Sequence, residues 1–494
     1  MLLPDFDSED QSMRRMFIGV TVLLLTIPLL VQGFQEQNQP SQRLDPKIQK
    51  IVSEISVERI AEIEKKLESF ETRNTLSDPT QPTRGIGAAR QWILEQFKSY
   101  SPRLDVSFDT HMIPKGGRVW KDIELRNVVA VLPGKMQQAA GRWIMITGHY
   151  DSLNLRVPPE MRNDPAKAAE LPAPGVTDDG SGTACVMECA RVLSQYEFDA
   201  TLVFVALAGE EQGLIGARAM AKRLKEKSQI IQAVLNNDII GSEVSGNGVI
   251  DNRRLLVFSE DPNDGSSRQI ARYVKRIGER YYPEMTVDLV FRYDRFGRGG
   301  DHTAFNQEGF AGVRITTPNE HFANQHSPTD TFANTSPSYA AKVTRINAAA
   351  AAALALAPRS PIVSRPAPAA AATTGTPGSS TAAAANPTAG AAADQEEAAT
   401  PRRGQGGPGL SRGGGYDAVL RWDYPDPEPD LAGFIVVVRS TTAPDWEREI
   451  WAGNVKEFTL KNTSIDQLVF GVKAVDKEGH ESPVSAYVLT PRAR

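Results

Sequence analysis

The sequence predicts an α/β fold, a three-layer α/β/α domain around a mixed, largely parallel sheet, followed by a small C-terminal β-sandwich. Three observations carry this. The apolar runs NVVAVLPG, RWIMITGH, TLVFVALAG, QAVLNND, VDLVF and AGVRIT alternate with helical segments, the rhythm of a sheet covered on both faces. The run from Val203 to Leu207 is unbroken by polar residues, as a strand buried on both sides requires. Near the end, AVLRWDY, GFIVVVRS, EFTLKN and LVFGVKAVD are short strand patterns with turn residues between them, as in a sandwich.

Taken in order, Arg14 and Arg15 precede an apolar stretch from Met16 to Val31, and the polar FQEQNQPSQ follows. That is the layout of a signal peptide over residues 1–33, with a mature start near Phe34 and a secreted or periplasmic destination. The alternative is an uncleaved membrane anchor, although the run is short for a full span. Residues 34–75 read as a helical segment in which Ile60, Ile63, Leu67 and Phe70 recur at helical spacing behind Ser56 as N-cap. DPTQPTRG ends it, and a helix with Ile86, Ala89, Ile93 and Phe97 on one face opens the main domain, residues 76–355. Residues 356–415 are rich in Ala, Pro, Thr and Gly with few bulky apolar side chains, the composition of a disordered linker. Residues 416–494 form the sandwich, whose Trp422 strand and FGVKAVDKEGHESP run resemble a fibronectin type III domain, with a surface or polymer as its possible contact.

The formal net charge is −5 with both signs interspersed, and no basic run marks a nucleic-acid partner. Cys185 and Cys189 stand four apart on a predicted helix, poorly placed to bridge, and read as buried apolar residues.

The chemistry lies at the strand ends. RWIMITGHYDS ends in His149 and Asp151, PGVTDDGSG carries Asp178 and Asp179, VFVALAGEE ends in Glu210 and Glu211, NND ends in Asp238, and NQHSPTDTF carries His326. Ligand sites in open α/β sheets lie just beyond the carboxyl ends of the strands. Singly, each has an ordinary structural reading as a cap or a hydrogen-bonded core group; their joint placement points to a site. Histidines and carboxylates without clustered thiols suit zinc, and also accept cobalt or manganese. Two adjacent acids about 4 Å apart repel by about 4 kcal/mol at an effective dielectric near 20, so cations are expected beside Glu210 and Glu211. Alternation along an extended segment would let one glutamate hold a metal while its neighbour faces the water and serves as general base.

GHYDS, PGVTDDGSG, AGEEQGLIGA, NND and HSPTDT resemble, in order and spacing, the two-zinc exopeptidase family of bacterial leucyl-type aminopeptidases and glutamate carboxypeptidases over about residues 75–355. The resemblance implies two zinc ions bridged by Asp178, with His149 and Asp238 completing one site and Glu211 and His326 the other. It implies Glu210 as general base, Asp151 as the acid orienting the His149 ring, and a cis Asp178–Asp179 linkage. It further implies an aminopeptidase acting on peptide or protein, which the leader pattern would send out of the cell. Some members stabilise the oxyanion with a tyrosine before an Asp-His pair; here DRFGRGGDHTAF offers Arg295, Arg298 and, further back, Tyr293, and the roles of Asp301 and His302 stay open. Two alternatives stand beside this reading: a glutaminyl cyclase-type acyltransferase with one zinc, and a noncatalytic receptor-like binding protein. Side-chain preference and oligomeric state are not legible.

Overall fold

The computed structural model describes residues 43–260, 262, 264–293, 299–363, 408–413 and 416–488. The expected signal peptide, residues 34–42, Arg295, Arg298 and residues 364–407 of the expected linker lie outside the described residues. Among the described residues, no helix is long and apolar enough to cross a membrane.

Eight strands form the main sheet: β1 (Asp105–Ile113), β2 (Ile123–Leu132), β3 (Arg142–His149), β4 (Thr201–Leu207), β5 (Ile230–Asn237), β6 (Arg254–Ser259), β7 (Thr286–Phe291) and β8 (Gly312–Thr316). Their order is β1-β2-β4-β3-β5-β8-β6-β7. The central strands β4, β3, β5 and β8 run parallel, so their carboxyl ends line one edge. β2 is antiparallel to β4, which brings the β1–β2 connection to that same edge.

Alternating side chains of the strands feed two cores. Ile144, Ile146, Leu202, Phe204, Ala206 and Leu235 face one layer, while Met145, Val203, Val205 and Val234 face the other. The first layer holds α1 (Pro46–Ser53), α2 (Val57–Glu68), α3 (Gly85–Tyr100), α5 (Ser181–Leu193), α7 (Ser266–Tyr281) and α9 (Pro337–Leu356); α4 (Pro165–Ala169) lies between β3 and α5 in the chain. The second layer holds α6 (Ile215–Glu226) and α8 (Asp301–Gln307). Ser56 caps α2 by accepting from the Arg59 N–H, and Ser336 caps α9 in the same way from Tyr339. The alanine run Ala348–Ala353 is buried inside α9, where small side chains let α5 and α7 approach closely. Cys185 and Cys189 are free and buried in α5.

The C-terminal residues form two antiparallel sheets. One is β13 (Glu457–Leu460), β10 (Ala418–Arg421) and β9 (Gly409–Arg412); the other is β12 (Arg448–Gly453), β11 (Leu431–Ser440), β14 (Leu468–Asp476) and β15 (Ser485–Ala486). Trp422, Phe434 and Phe470 fill the space between. Residues 409–412 correct the linker boundary: composition assigned them to the linker, yet they pair with β10. Pairing with a distant strand decides their conformation, which local composition does not register.

The sandwich is docked rather than merely tethered. Arg439 grips both Asp264 oxygens at 2.6 Å, Arg272 reaches Asp264 at 3.1 Å, and Trp446 donates to Gln269 at 3.1 Å. Arg439, Asp264 and Arg272 are all buried, so this polar seam between β11 and α7 is closed to solvent.

Candidate metal centre

His149, Glu211 and Asp238 sit where central strands end, while Asp178 lies in the loop opening α5 and His326 in the loop between β8 and α9. β3 delivers His149, with Asp151 just after it. β4 ends at Leu207, Gly209 turns with φ +73°, and the Glu210 carbonyl accepts from Gly213 and Leu214 at 2.8 and 2.9 Å. The glutamate pair therefore separates in a tight turn, and not by strand alternation as the sequence suggested. Glu211 is buried and Glu210 half-buried. β5 leads into Asp238, and the Asp178–Asp179 peptide, in the loop opening α5, is cis.

The structure brings His149, Asp151, Asp178, Glu210, Glu211, Asp238 and His326 to one place. Two ligand groups share one residue: His149, Asp178 and Asp238, and Asp178, Glu211 and His326, each with ligand atoms within 4.8 Å of one another. His149 Nε2 lies 3.2 Å from Asp178 Oδ1, and His326 Nε2 lies 3.1 Å from Asp178 Oδ2 and 3.2 Å from Glu211 Oε2. Ligands about 2.0–2.1 Å from a tetrahedral ion stand about 3.3 Å apart, so these separations fit zinc. His149 Nε2 and Glu211 Oε1 are buried and make no hydrogen bond within the protein. Such groups are costly to leave unpartnered, and an ion would satisfy both. A third acidic group, Asp430, Asp476 and Glu478, lies on the sandwich, but it has no histidine and His480 already engages both Asp476 oxygens.

The surroundings orient this donor set. His149 Nδ1 faces the Asp151 carbonyl at 3.1 Å and its carboxylate at 3.5 Å, which turns Nε2 toward Asp178. Asp151 also accepts from the Glu210 and Glu211 N–H groups at 3.2 and 3.3 Å and from the Thr75 hydroxyl at 2.9 Å. Asp330 accepts from the Thr177 and Asp178 N–H groups at 2.9 and 3.0 Å. Asp179 accepts from the His149, Gly182 and Ile239 N–H groups, tying three segments together. A Cβ on Gly182 would come within 2.3 Å of the Asp179 carboxylate, so only glycine fits there.

Two buried arginines back the acids. Arg314 donates to Asp238 Oδ1 at 3.1 Å. Arg73 donates to the carbonyls of Tyr150, Pro174, Gly175 and Leu67 at 2.7, 2.5, 2.7 and 3.1 Å. Burial lowers the Arg73 pKa to about 10 while Asp330, Asp151, Asp179 and Asp178 oppose the fall, so it remains a cation at neutral pH.

Burial opposes charge on these acids; on Asp178 the hydrogen bonds from His149 and His326 outweigh it and hold the carboxyl well below its usual range, whereas others are driven toward neutrality. Burial pushes Glu211 up to about 7, with Asp178 adding to the rise, and Asp301 up to about 8. Burial likewise raises Glu210, with Glu211, Asp238 and Asp301 adding to it. Burial disfavours charge on His326 as well, but hydrogen bonds to Asp178 and Glu211 outweigh it and lift the ring to about 11. Negative charge is thus in excess here, and cations are what it lacks. Asp301 is 1 % exposed, with both oxygens free of hydrogen bonds within the protein, and His302 lies 3.4 Å from Glu260. Tyr293 is exposed.

Arg73, Asp330 and Arg314 are contributors without an assigned role in the sequence reading, which named Asp179 only in its motif and for the linkage to Asp178. Arg314 carried a signal, a lone charge in the apolar run AGVRIT, and Asp330 stands inside HSPTDT. Nothing local marks Arg73.

A mixed α/β sheet with two histidine–carboxylate triads at its carboxyl edge, sharing one aspartate, is the framework of a zinc metalloprotease. The model of peptidase family M28 matches residues 127–351. The chain is 33 % identical to a probable zinc metalloprotease of Pyricularia oryzae over 89 % of this chain and 84 % of that one. It is 30 % identical to another of Pyrenophora tritici-repentis, over 89 % and 96 %. It is also similar to the solved LapA aminopeptidase of Legionella pneumophila, at 23 % identity and a TM-score of 0.48, over 65 % of this chain and 78 % of that one. The chain belongs to peptidase family M28.

Proposed function

We propose that the chain is an exported aminopeptidase that hydrolyses peptide bonds with two zinc ions, one held by His149, Asp178 and Asp238 and the other by Asp178, Glu211 and His326. The observation that carries this is Asp178, whose two oxygens face His149 and His326 separately, at 3.2 and 3.1 Å. Bound there, zinc polarises the scissile carbonyl and makes water more acidic. Glu210 takes the proton of the attacking water and passes it to the departing amine. Asp151 holds the His149 ring and, through two backbone N–H groups, the turn that carries Glu210. Preference for a free amino end is supported by the motif resemblance. Export rests on Arg14, Arg15 and the apolar run after them.

Aminoacyl-anilides and N-blocked dipeptides, offered to the wild type and Glu210→Gln, test this. The wild type should cleave the anilides, and the variant should keep its metal while kcat falls by about 10²–10⁴. Cleavage of the blocked substrates alone would reverse the end preference. Unchanged turnover in the variant would exclude Glu210 as base. Pyroglutamate formation with a single zinc per chain would favour the cyclase reading.

A further inference from the structure

A cavity of about 590 Å³ lies apart from the ligand triads, its apolar walls formed by Leu76 and Pro79, by Trp120, and by Met161, Ala166 and Leu171, with two acids and two lysines also lining it. Its volume is that of a small-ligand site, about 300–1,000 Å³. Its walls come from three segments that the chemistry leaves unused: the stretch before α3, the β1–β2 connection, and the excursion between His149 and Asp178. Glu170 ties the first wall to the third, accepting from the Asp78 N–H at 2.6 Å and from Arg84 at 3.0 Å.

The position of the cavity relative to Glu210 is set by three hydrogen bonds. Thr75, next to Leu76, donates to Asp151, and Asp151 receives the Glu210 N–H. Arg118, two residues before Trp120, donates to the Glu211 carbonyl at 3.0 Å. Two walls are therefore anchored on the turn that carries Glu210. Strand order gives the direction: β4 carries Glu210, β3 with His149 lies on one side of it, and β2, leading from the Trp120 loop, lies on the other.

A general base that returns its proton to the leaving amine must stand within hydrogen-bond reach of that amine. The part of the substrate beyond the scissile bond is then expected beside the end of β4, where β2 is the next strand away from His149. We propose that this cavity receives the side chain of the residue following the scissile bond, and that its apolar walls select a large apolar residue there. The inference rests on the peptidase reading and adds specificity on the leaving-group side.

The test uses the full zinc-loaded chain, with the first residue of the substrate fixed as one that the wild type releases from an anilide. Dipeptides with Phe or Gly second are then compared as a ratio of kcat/KM. The wild type should favour Phe by on the order of tenfold. Ala166→Trp, at an exposed position of α4, fills the cavity and should bring the ratio near one; Leu171→Ala strips a wall and should lower it several-fold. A wild-type ratio near one, or a ratio that neither variant moves, overturns the proposal while leaving the peptidase reading intact. Failure of the wild type to release any anilide or cleave either dipeptide sinks the peptidase reading, and the cavity assignment with it.

Discussion

Replacing Arg73 by methionine keeps the bulk of the stem and removes every side-chain donor. Of the four carbonyls that Arg73 serves, Leu67 and Gly175 keep another partner, the Phe70 and Gly180 N–H groups. The carbonyls of Tyr150 and Pro174 have no other donor among the described hydrogen bonds. A buried acceptor left unsatisfied costs about 1–3 kcal/mol, so two cost about 2–6 kcal/mol. That is a large part of the roughly 5–15 kcal/mol by which domains are stable. Arg73→Lys keeps the charge but replaces a planar five-donor fork with a compact ammonium, and should lose about half as much. The same carbonyls flank His149 and Asp151 on one side and Asp178 on the other, so zinc affinity should fall by about 10–100-fold, as for groups that orient metal ligands. Urea midpoints of the zinc-loaded protein, with competitive zinc titration of the stripped protein, read both effects. A stability loss below about 1 kcal/mol together with wild-type zinc affinity would show that water replaces the guanidinium without penalty, and would refute the reasoning.

Other outcomes follow from the same geometry. Chelation should abolish hydrolysis, and zinc should restore it at about two ions per chain by elemental analysis, with cobalt or manganese as substitutes. His326→Ala, which removes the only nitrogen from one triad, should lower the bound content toward about one ion while the His149 triad persists. Arg439→Met leaves Asp264 buried with Arg272 as its remaining cation and should cost about 3–5 kcal/mol, read as a lower urea midpoint and faster proteolysis of the sandwich.

How much of this was legible depends on whether the determinant is local. The ligands are legible because each follows an apolar strand or opens a loop, and the sheet brings strand ends together by construction. The glutamate turn was misjudged because Gly209 ends the extended conformation one residue earlier than an alternation argument assumes. β9 was missed because its partner β10 supplies order that an Arg- and Gly-rich segment lacks alone. Arg73 was invisible for a different reason: it touches main-chain carbonyls of distant segments, and any residue type can supply a carbonyl. The docking of the sandwich was hidden in the same way, since Asp264, Arg272 and Arg439 read singly as solvated charges.

His480 brings titration into that docking. On the turn after β14, its Nδ1 lies 2.7 Å from Asp476 within the sandwich, and its Nε2 lies 2.9 Å from Asp45, the N-cap of α1. Only the imidazolium can donate from both nitrogens at once, so with both carboxylates ionised the two contacts need the charged ring. Burial works against that charge, but the hydrogen bonds to Asp476 and then Asp45 outweigh it and raise the pKa above the ordinary histidine value. Asp199 also feels the ring, and Arg43, Arg280, Glu478 and Glu481 line the same crevice. A folded-state pKa above the unfolded one means that the native state binds the extra proton. The stabilisation is therefore complete below about pH 6.5 and fades as the pH rises through the raised folded value. His480→Gln should cost about 1.5–3 kcal/mol, the worth of a charge-assisted hydrogen bond, on the acid side of that window and distinctly less on the alkaline side. Urea midpoints of both proteins across the window read the difference. A gap between wild type and variant that stays constant with pH would mean that the ring binds as a neutral group, with one of the two carboxylates holding the proton instead.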